Sequence, residues 1–204
     1  MNMSNYIRSL LGVALLALSS VAFAEVSPDV LVRTTADEVL EIVKKDKDIQ
    51  AGDQKKIFAL AEEKILPNFN FERVCRLVLG KYWTTATKEQ KAVFQREFRS
   101  LLLRTYASAL SKYRNQTIEY APLRAEPGAK RVTVKTQVLQ PGGQPIGIDY
   151  SLEKTNEHWK VYDIVIEGVS LVTNYRSQFS EEIRQSSLDG LIQKLIDKNK
   201  QAGT

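Results

Sequence analysis

The hydrophobic period of this chain changes twice, and that constrains its fold more than any single motif does. Up to about residue 113, apolar residues recur every three or four positions. From Gln116 to Ile166 they alternate, and beyond Gly168 the helical period returns. A helical stripe cannot serve as a strand face, because one needs a period near 3.6 and the other a period of 2. The order therefore predicts an α+β domain over 25–204: a helical half (about 25–113), then a sheet of about four antiparallel strands with closing helices (about 114–200).

Local signals sharpen the helical half. Ser27-Pro28 reads as a helix start, followed by Val32, Ala36, Val39, Leu40 and Val43 on one face. Gly52-Asp53 interrupts the chain, and a second helix carrying Ile57, Leu60, Ala61 and Ile65 stops at Pro67. Asn70 caps a third, which ends at Gly80, with Tyr82-Trp83 in the loop beyond. Thr87-Lys88-Glu89-Gln90 is a capping box opening the longest helix, expected to reach about Tyr113, some 26 residues or ~39 Å. Phe94, Phe98, Leu101, Leu102 and Ala109 form one stripe on it, and Leu103, Tyr106, Leu110 and Tyr113 a second. Together they cover an arc of about 200°, against the ~100° of a helix lying on one core. Such a helix is buried on two sides, or faces a core on one side and a hydrophobic cavity on the other.

The alternating region divides at its turns. Gln116–Ala121 is a first strand, and Arg131–Leu139 a second with Val132, Val134, Thr136 and Val138 on one face. Pro141-Gly142-Gly143 turns into a third with Ile146, Ile148, Tyr150 and Leu152. His158–Ile166 is apolar on both faces, as expected of a strand covered on both sides. Strict alternation sets Trp159, Val161, Asp163 and Val165 on one of them, which puts a carboxylate on an apolar face. There it needs donors, from backbone amides or Arg176, or a role in orienting a ligand or in catalysis. Ser170 and Ser187 are positioned to open the two closing helices.

The first 24 residues read as a secretory signal peptide. Arg8 precedes the apolar run Leu10–Val21, too short to span a bilayer, and Ala22-Phe23-Ala24 offers small residues at a cleavage site. Export together with a single cysteine, Cys75, excludes an internal disulfide and suits a periplasm. The net charge of +5 is modest, and no dense basic tract with interleaved aromatics points to nucleic acid. His158 is the only histidine, so neither a histidine zinc site nor a Ser-His-Asp triad has the residues it needs. Cys75 lies on an apolar helical face, as a buried inert thiol does. No metal site and no cofactor is expected.

One further stretch carries a resemblance. YDIVIEGVSLVTNYRSQF (Tyr162–Phe179), together with ILPNFNFERVCRLVLGKYW (Ile65–Trp83), TKEQKAVFQREFRSLLLRTYASAL (Thr87–Leu110) and the Pro141-Gly142-Gly143 hairpin, resembles the MlaC-type periplasmic phospholipid-binding proteins, the toluene-tolerance family. The likeness runs in order through nearly the whole mature chain; Cys75 stands where a small residue such as Gly or Ala is expected. It implies a curved sheet and helices around a hydrophobic pocket, in a cone-shaped fold like that of nuclear transport factors. It also implies a soluble shuttle whose cargo is diacyl phospholipid, and transfer between two membranes favours one small mobile unit, a monomer. Its partners would be an outer-membrane MlaA-type lipoprotein with a porin, and the MlaD-type MCE subunits of an inner-membrane ABC transporter. The pathway would preserve outer-membrane lipid asymmetry.

The excess apolar arc of the long helix and the alternating strand faces then place the pocket between helix and sheet. Its expected lining is Phe98, Leu101, Leu102 and Tyr106 from the helix, Ile148, Tyr150, Leu152, Val161 and Val165 from strands, and Val169, Val172 and Tyr175 from the closing segment. Arg76, Lys81, Arg99 and Arg176 are the candidate cations at its mouth, for a phosphate or an acidic partner. Two other functions compete: a periplasmic lipoprotein carrier or chaperone, and a small-ligand enzyme on the same fold using Asp163 with a tyrosine.

Overall fold

A computed structural model describes residues 26–112, 115–156 and 158–201. The leader predicted at 1–24 lies outside the described residues, as do Tyr113 at the expected end of the long helix and Glu157 in the last turn.

The helices begin and end where local chemistry dictates. Helix α1 (Pro28–Lys45) starts at Pro28, whose fixed φ suits a first turn; Ser27 precedes it in extended conformation and makes no side-chain cap. Asp46 caps α2 (Lys47–Ala51), which ends at Gly52 with φ 93°, a left-handed conformation that favours glycine. Asp53 caps α3 (Gln54–Leu60), which runs into a π-helical turn at Ala61–Ile65 and a 3-10 turn at Leu66–Asn68, where Pro67 ends it. Asn70 caps α4 (Phe71–Leu79) through the Arg73 amide. The sequence suggested a loop around Tyr82-Trp83, but a short helix α5 (Lys81–Thr85) forms there and turns Trp83 into the core. Helix α6 (Lys88–Ser111) opens with the reciprocal Thr87–Gln90 bonds of the capping box.

The sheet is antiparallel and open, in the order β1 (Thr117–Tyr120), β2 (Arg131–Leu139), β3 (Ile146–Thr155), β4 (His158–Ile166) and β5 (Val169–Ser170). The fifth strand, only two residues long, was not expected; it pairs Val169 and Ser170 with Ile166 and Val165. A β-bulge interrupts the β3–β4 ladder: Leu152 faces Val161, Ser151 faces Asp163, and Tyr162 is the extra residue between them. Ile164 opposite Tyr150 and Ile166 opposite Ile148 therefore share the inner face with Val161, while Asp163 and Val165 pair with outward Ser151 and Asp149. The strict alternation read from the sequence fails at this one residue.

Two consecutive helices, numbered together as α7 (Leu171–Gln201), close the fold; Ser187, with φ 75° and ψ 172°, is non-helical and separates them. Its hydroxyl accepts the Gly190 amide, so Ser187 does open the second segment. The main core lies among α4, α6 and α7, where Phe94, Phe98, Tyr175 and Phe179 pack ring against ring, mostly edge to face, with centroids 5.1–5.8 Å apart. Helices and sheet are joined where Phe69 bridges to Val161 and the Asn70 amide donates to the Val161 carbonyl at 2.9 Å.

Candidate functional site

Helix α6 serves both core and cavity. Phe94, Phe98 and Leu101 are buried in the helical core, with Phe98 also reaching the chamber beyond it; Leu102, Leu103, Tyr106 and Leu110 line that chamber, Leu102 packing against the core as well. Two adjoining chambers lie between these helices and the inner face of the sheet. One, of about 570 Å³, runs between α1 (Leu31, Val39, Leu40, Val43) and the sheet (Ile118, Val138, Ile146, Ile148, Tyr150, Val161). The other, of about 360 Å³, lies among α4, α6, the start of α7 and β4, with Phe71, Val78, Leu102, Tyr106, Ile166 and Val172 on its walls. Both are bordered by Ile65, Phe69, Ala109, Leu110, Ile148, Tyr150 and Ile164, so one row of side chains is the wall they share.

The few polar groups inside are satisfied internally. Burial pushes the Tyr106 phenol up to about 12, helped by its hydrogen bond to Tyr175. Burial likewise raises Tyr150, against the opposing effect of its bond to Thr136, whose own hydroxyl donates to the Ile148 carbonyl at 2.8 Å. Asp163 accepts from the Ser170 hydroxyl at 2.6 Å and the Val172 amide at 3.0 Å, holding the first turn of α7 at the edge of the smaller chamber. Both of its oxygens thus serve the backbone and its cap. Helix α1 is held over the larger chamber at three points: Tyr120 donates to Asp37 at 2.9 Å, Asn68 to Thr35 at 2.9 Å, and Lys64 pairs with Glu38 at 2.7 Å. Burial, then the bond to Asp37, raises the Tyr120 phenol. Among the described residues no group of His, Cys, Asp and Glu side chains is arranged to hold a metal, and no helix is long and apolar enough to cross a membrane. Burial raises the Cys75 thiol, as for an inert cysteine.

Of the lining residues expected from sequence, Phe98, Leu102, Tyr106, Ile148, Tyr150, Val161, Val172 and Tyr175 border a chamber. Four do not. Leu101 turns into the helical core beside Phe98. Leu152 is on the inner face but sealed against Val32, Val132 and Val161. Val165 falls on the outer face because of the bulge, and Val169 stands 55% exposed on the edge strand. Among those missed were Ile164 and Ile166, hidden by that bulge, Ile65 and Phe69 in the turns before α4, and the α1 wall. The only sign of the latter was that Leu31 and Leu40 broaden the α1 stripe.

The four cations expected at the mouth are not among the residues lining either chamber. Arg76 pairs with Glu72 at 3.1 Å, Lys81 and Arg99 lie over the rings of Tyr82 and Phe71, and Arg176 packs its guanidinium 3.2 Å from where a Cβ on Gly80 would stand. Arg99 alone of the four is shown against a chamber wall, since the Phe71 ring it lies over lines the smaller chamber. Among the described residues, the cation that borders the larger chamber is Lys112, whose neighbours in that lining include Gln116 and Gln140 at the β2–β3 hairpin end of the sheet.

The family model described as "MlaC protein" matches residues 33–197. The chain is 28% identical over 177 residues to the "Intermembrane phospholipid transport system binding protein MlaC" of Haemophilus influenzae, covering 85% of this chain and 83% of that protein. It is 28% identical over 196 residues to the "Toluene tolerance protein ttg2D" of Pseudomonas putida, covering 96% and 90%. A solved structure of the phospholipid-binding protein from Ralstonia solanacearum, in complex with a phospholipid, superposes with a TM-score of 0.82 at 40% identity, covering 86% of this chain and 98% of that one.

Proposed function

The chain belongs to the MlaC family, and from that membership we propose that it is a periplasmic phospholipid carrier, exported by its first 24 residues. Its route would lie between an MlaA-type lipoprotein with its porin at the outer membrane and MlaD-type MCE subunits of an inner-membrane ABC transporter. The observation that carries this reading is the pair of apolar chambers with a common wall. Moving a diacyl lipid through water exposes about 28 methylenes at roughly 0.8 kcal/mol each, a penalty of more than ~20 kcal/mol, so a carrier has to enclose the chains. Phe98, Leu102, Tyr106, Ile148, Tyr150, Val161, Ile164, Val172 and Tyr175 would cover them, and the headgroup would leave at the Lys112 end, where the lining turns polar.

The enzyme alternative gains nothing from Asp163, whose oxygens are engaged by Ser170 and Val172. The test is organic extraction and mass spectrometry of the purified mature chain. Diacyl phospholipid in near-stoichiometric amount is expected. Lipidated peptide alone would favour the lipoprotein chaperone, and an empty chain that cannot be loaded from vesicles would overturn the carrier.

A further inference from the structure

A third hollow, of about 530 Å³, opens on the face of the sheet turned away from both chambers. Arg124, Arg131, Lys135, Thr133, Pro122 and Tyr162 line it. Strand parity accounts for the β2 contribution: Arg131, Thr133 and Lys135 alternate with inward Val132, Val134 and Thr136. The bulge accounts for Tyr162. As the extra residue it has no partner on β3, and its ring stands on the outer face, where the Arg73 guanidinium packs 4.9 Å from its centroid.

The hollow is electrostatically unbalanced. Lys135 reaches Asp149 at 3.6 Å as an exposed pair, which is weak in water. Glu153, opposite Arg131, is already engaged by Arg73 at 3.0 Å and by Asn70 at 3.0 Å, and Asp163, opposite Ser151, by Ser170 and the Val172 amide. No acidic side chain lines the hollow, and among the described residues Arg124 and Arg131 hold no ion pair.

We propose that this hollow docks an acidic segment of a partner protein, with Arg124, Arg131 and Lys135 receiving its carboxylates and Tyr162 packing against its backbone or an apolar side chain. Guanidinium forks match carboxylates in a bidentate geometry, which fixes register as well as attraction. The concavity decides between partners. A lipid surface is flat and is engaged by spread clusters of about 4–8 cations, whereas three cations around a hollow fit something that protrudes. The contact works at the rim of a polar interface, so it governs encounter and orientation and weakens as salt rises.

The test is an NMR titration of the whole mature chain, carrying whatever cargo it purifies with, by an acetylated and amidated hexaglutamate peptide at low salt. The largest amide shifts are expected at Arg124, Arg131–Lys135 and Tyr162. Arg131→Gln with Lys135→Gln, which removes both charges without setting carboxylates opposite Glu153 and Asp149, should weaken binding severalfold while leaving the chain folded by its thermal melt, and Arg124→Ala, outside the strands, should weaken it by a similar factor. Charge reversal at Arg76 and Lys81 should change nothing. Shifts centred on Arg76, Lys81 and Arg176, or an affinity indifferent to the hollow's charges, would overturn the assignment. So would a chain that ignores the peptide and instead sediments with phosphatidylglycerol vesicles through these same residues, since the partner would then be a membrane.

Discussion

At the scale of single residues, the chambers are notable for how little polarity they admit and how completely it is tied down. Tyr106 bonds to Tyr175 and Tyr150 to Thr136, so neither hydroxyl is left bare in an apolar space, where an unmade bond costs about 1–3 kcal/mol. The same burial makes these phenols reluctant acids, and Tyr120, held by Asp37, joins them. A phenol whose pKa is raised on folding contributes fully below the unfolded value of about 10 and loses that contribution as pH rises through its folded value. Tyr106, pushed up to about 12, sets that window. Stability should therefore decline between pH ~10 and ~12, with part of the tyrosinate absorbance appearing only in the upper half of that range. A single absorbance step near pH ~10 would mean that these hydroxyls meet water freely.

At the scale of elements, β4 carries the sharpest lesson. Its ends were legible in the sequence, as were those of β2, because alternation and turn residues specify them locally. The bulge was not, because the composition around Tyr162 does not differ between a regular strand and one with an extra residue; register depends on the partner strand. One inserted residue therefore moved Val165 out and brought Ile164 and Ile166 in. A photocrosslinking side chain at Ile164 or Ile166 should label co-purified phospholipid and one at Val165 should not; labelling at Val165 with none at Ile164 would restore regular alternation. The α6 arc was legible as too broad for one core, but which of its residues meet core and which meet cavity was not, since periodicity reports faces and is blind to what each turn packs against. The α1 wall escaped for a related reason: an apolar stripe reads the same whether it meets side chains or a cavity.

For the molecule as a whole, an apolar interior of this size without contents is a weakness. Walls that face a void lose the packing contacts that side chains would otherwise supply, and a ligand bound only by the native state stabilises it by mass action. Stripping the cargo with detergent or organic solvent should lower the melting temperature by several degrees, since each kcal/mol is worth about 2–4 °C in a chain of this length. Loaded and stripped forms melting together would show that the walls close up on themselves. The joint between Phe69, Asn70 and Val161 also bears on how the chain reaches this shape. It ties together segments separated by roughly 90 residues, so the helical half, made first, must wait uncovered for the sheet, and closing that long loop costs entropy before any contact rewards it. Folding should consequently be slow and late in its commitment, with the greasy wall of α6 the surface most exposed to aggregation in the interval.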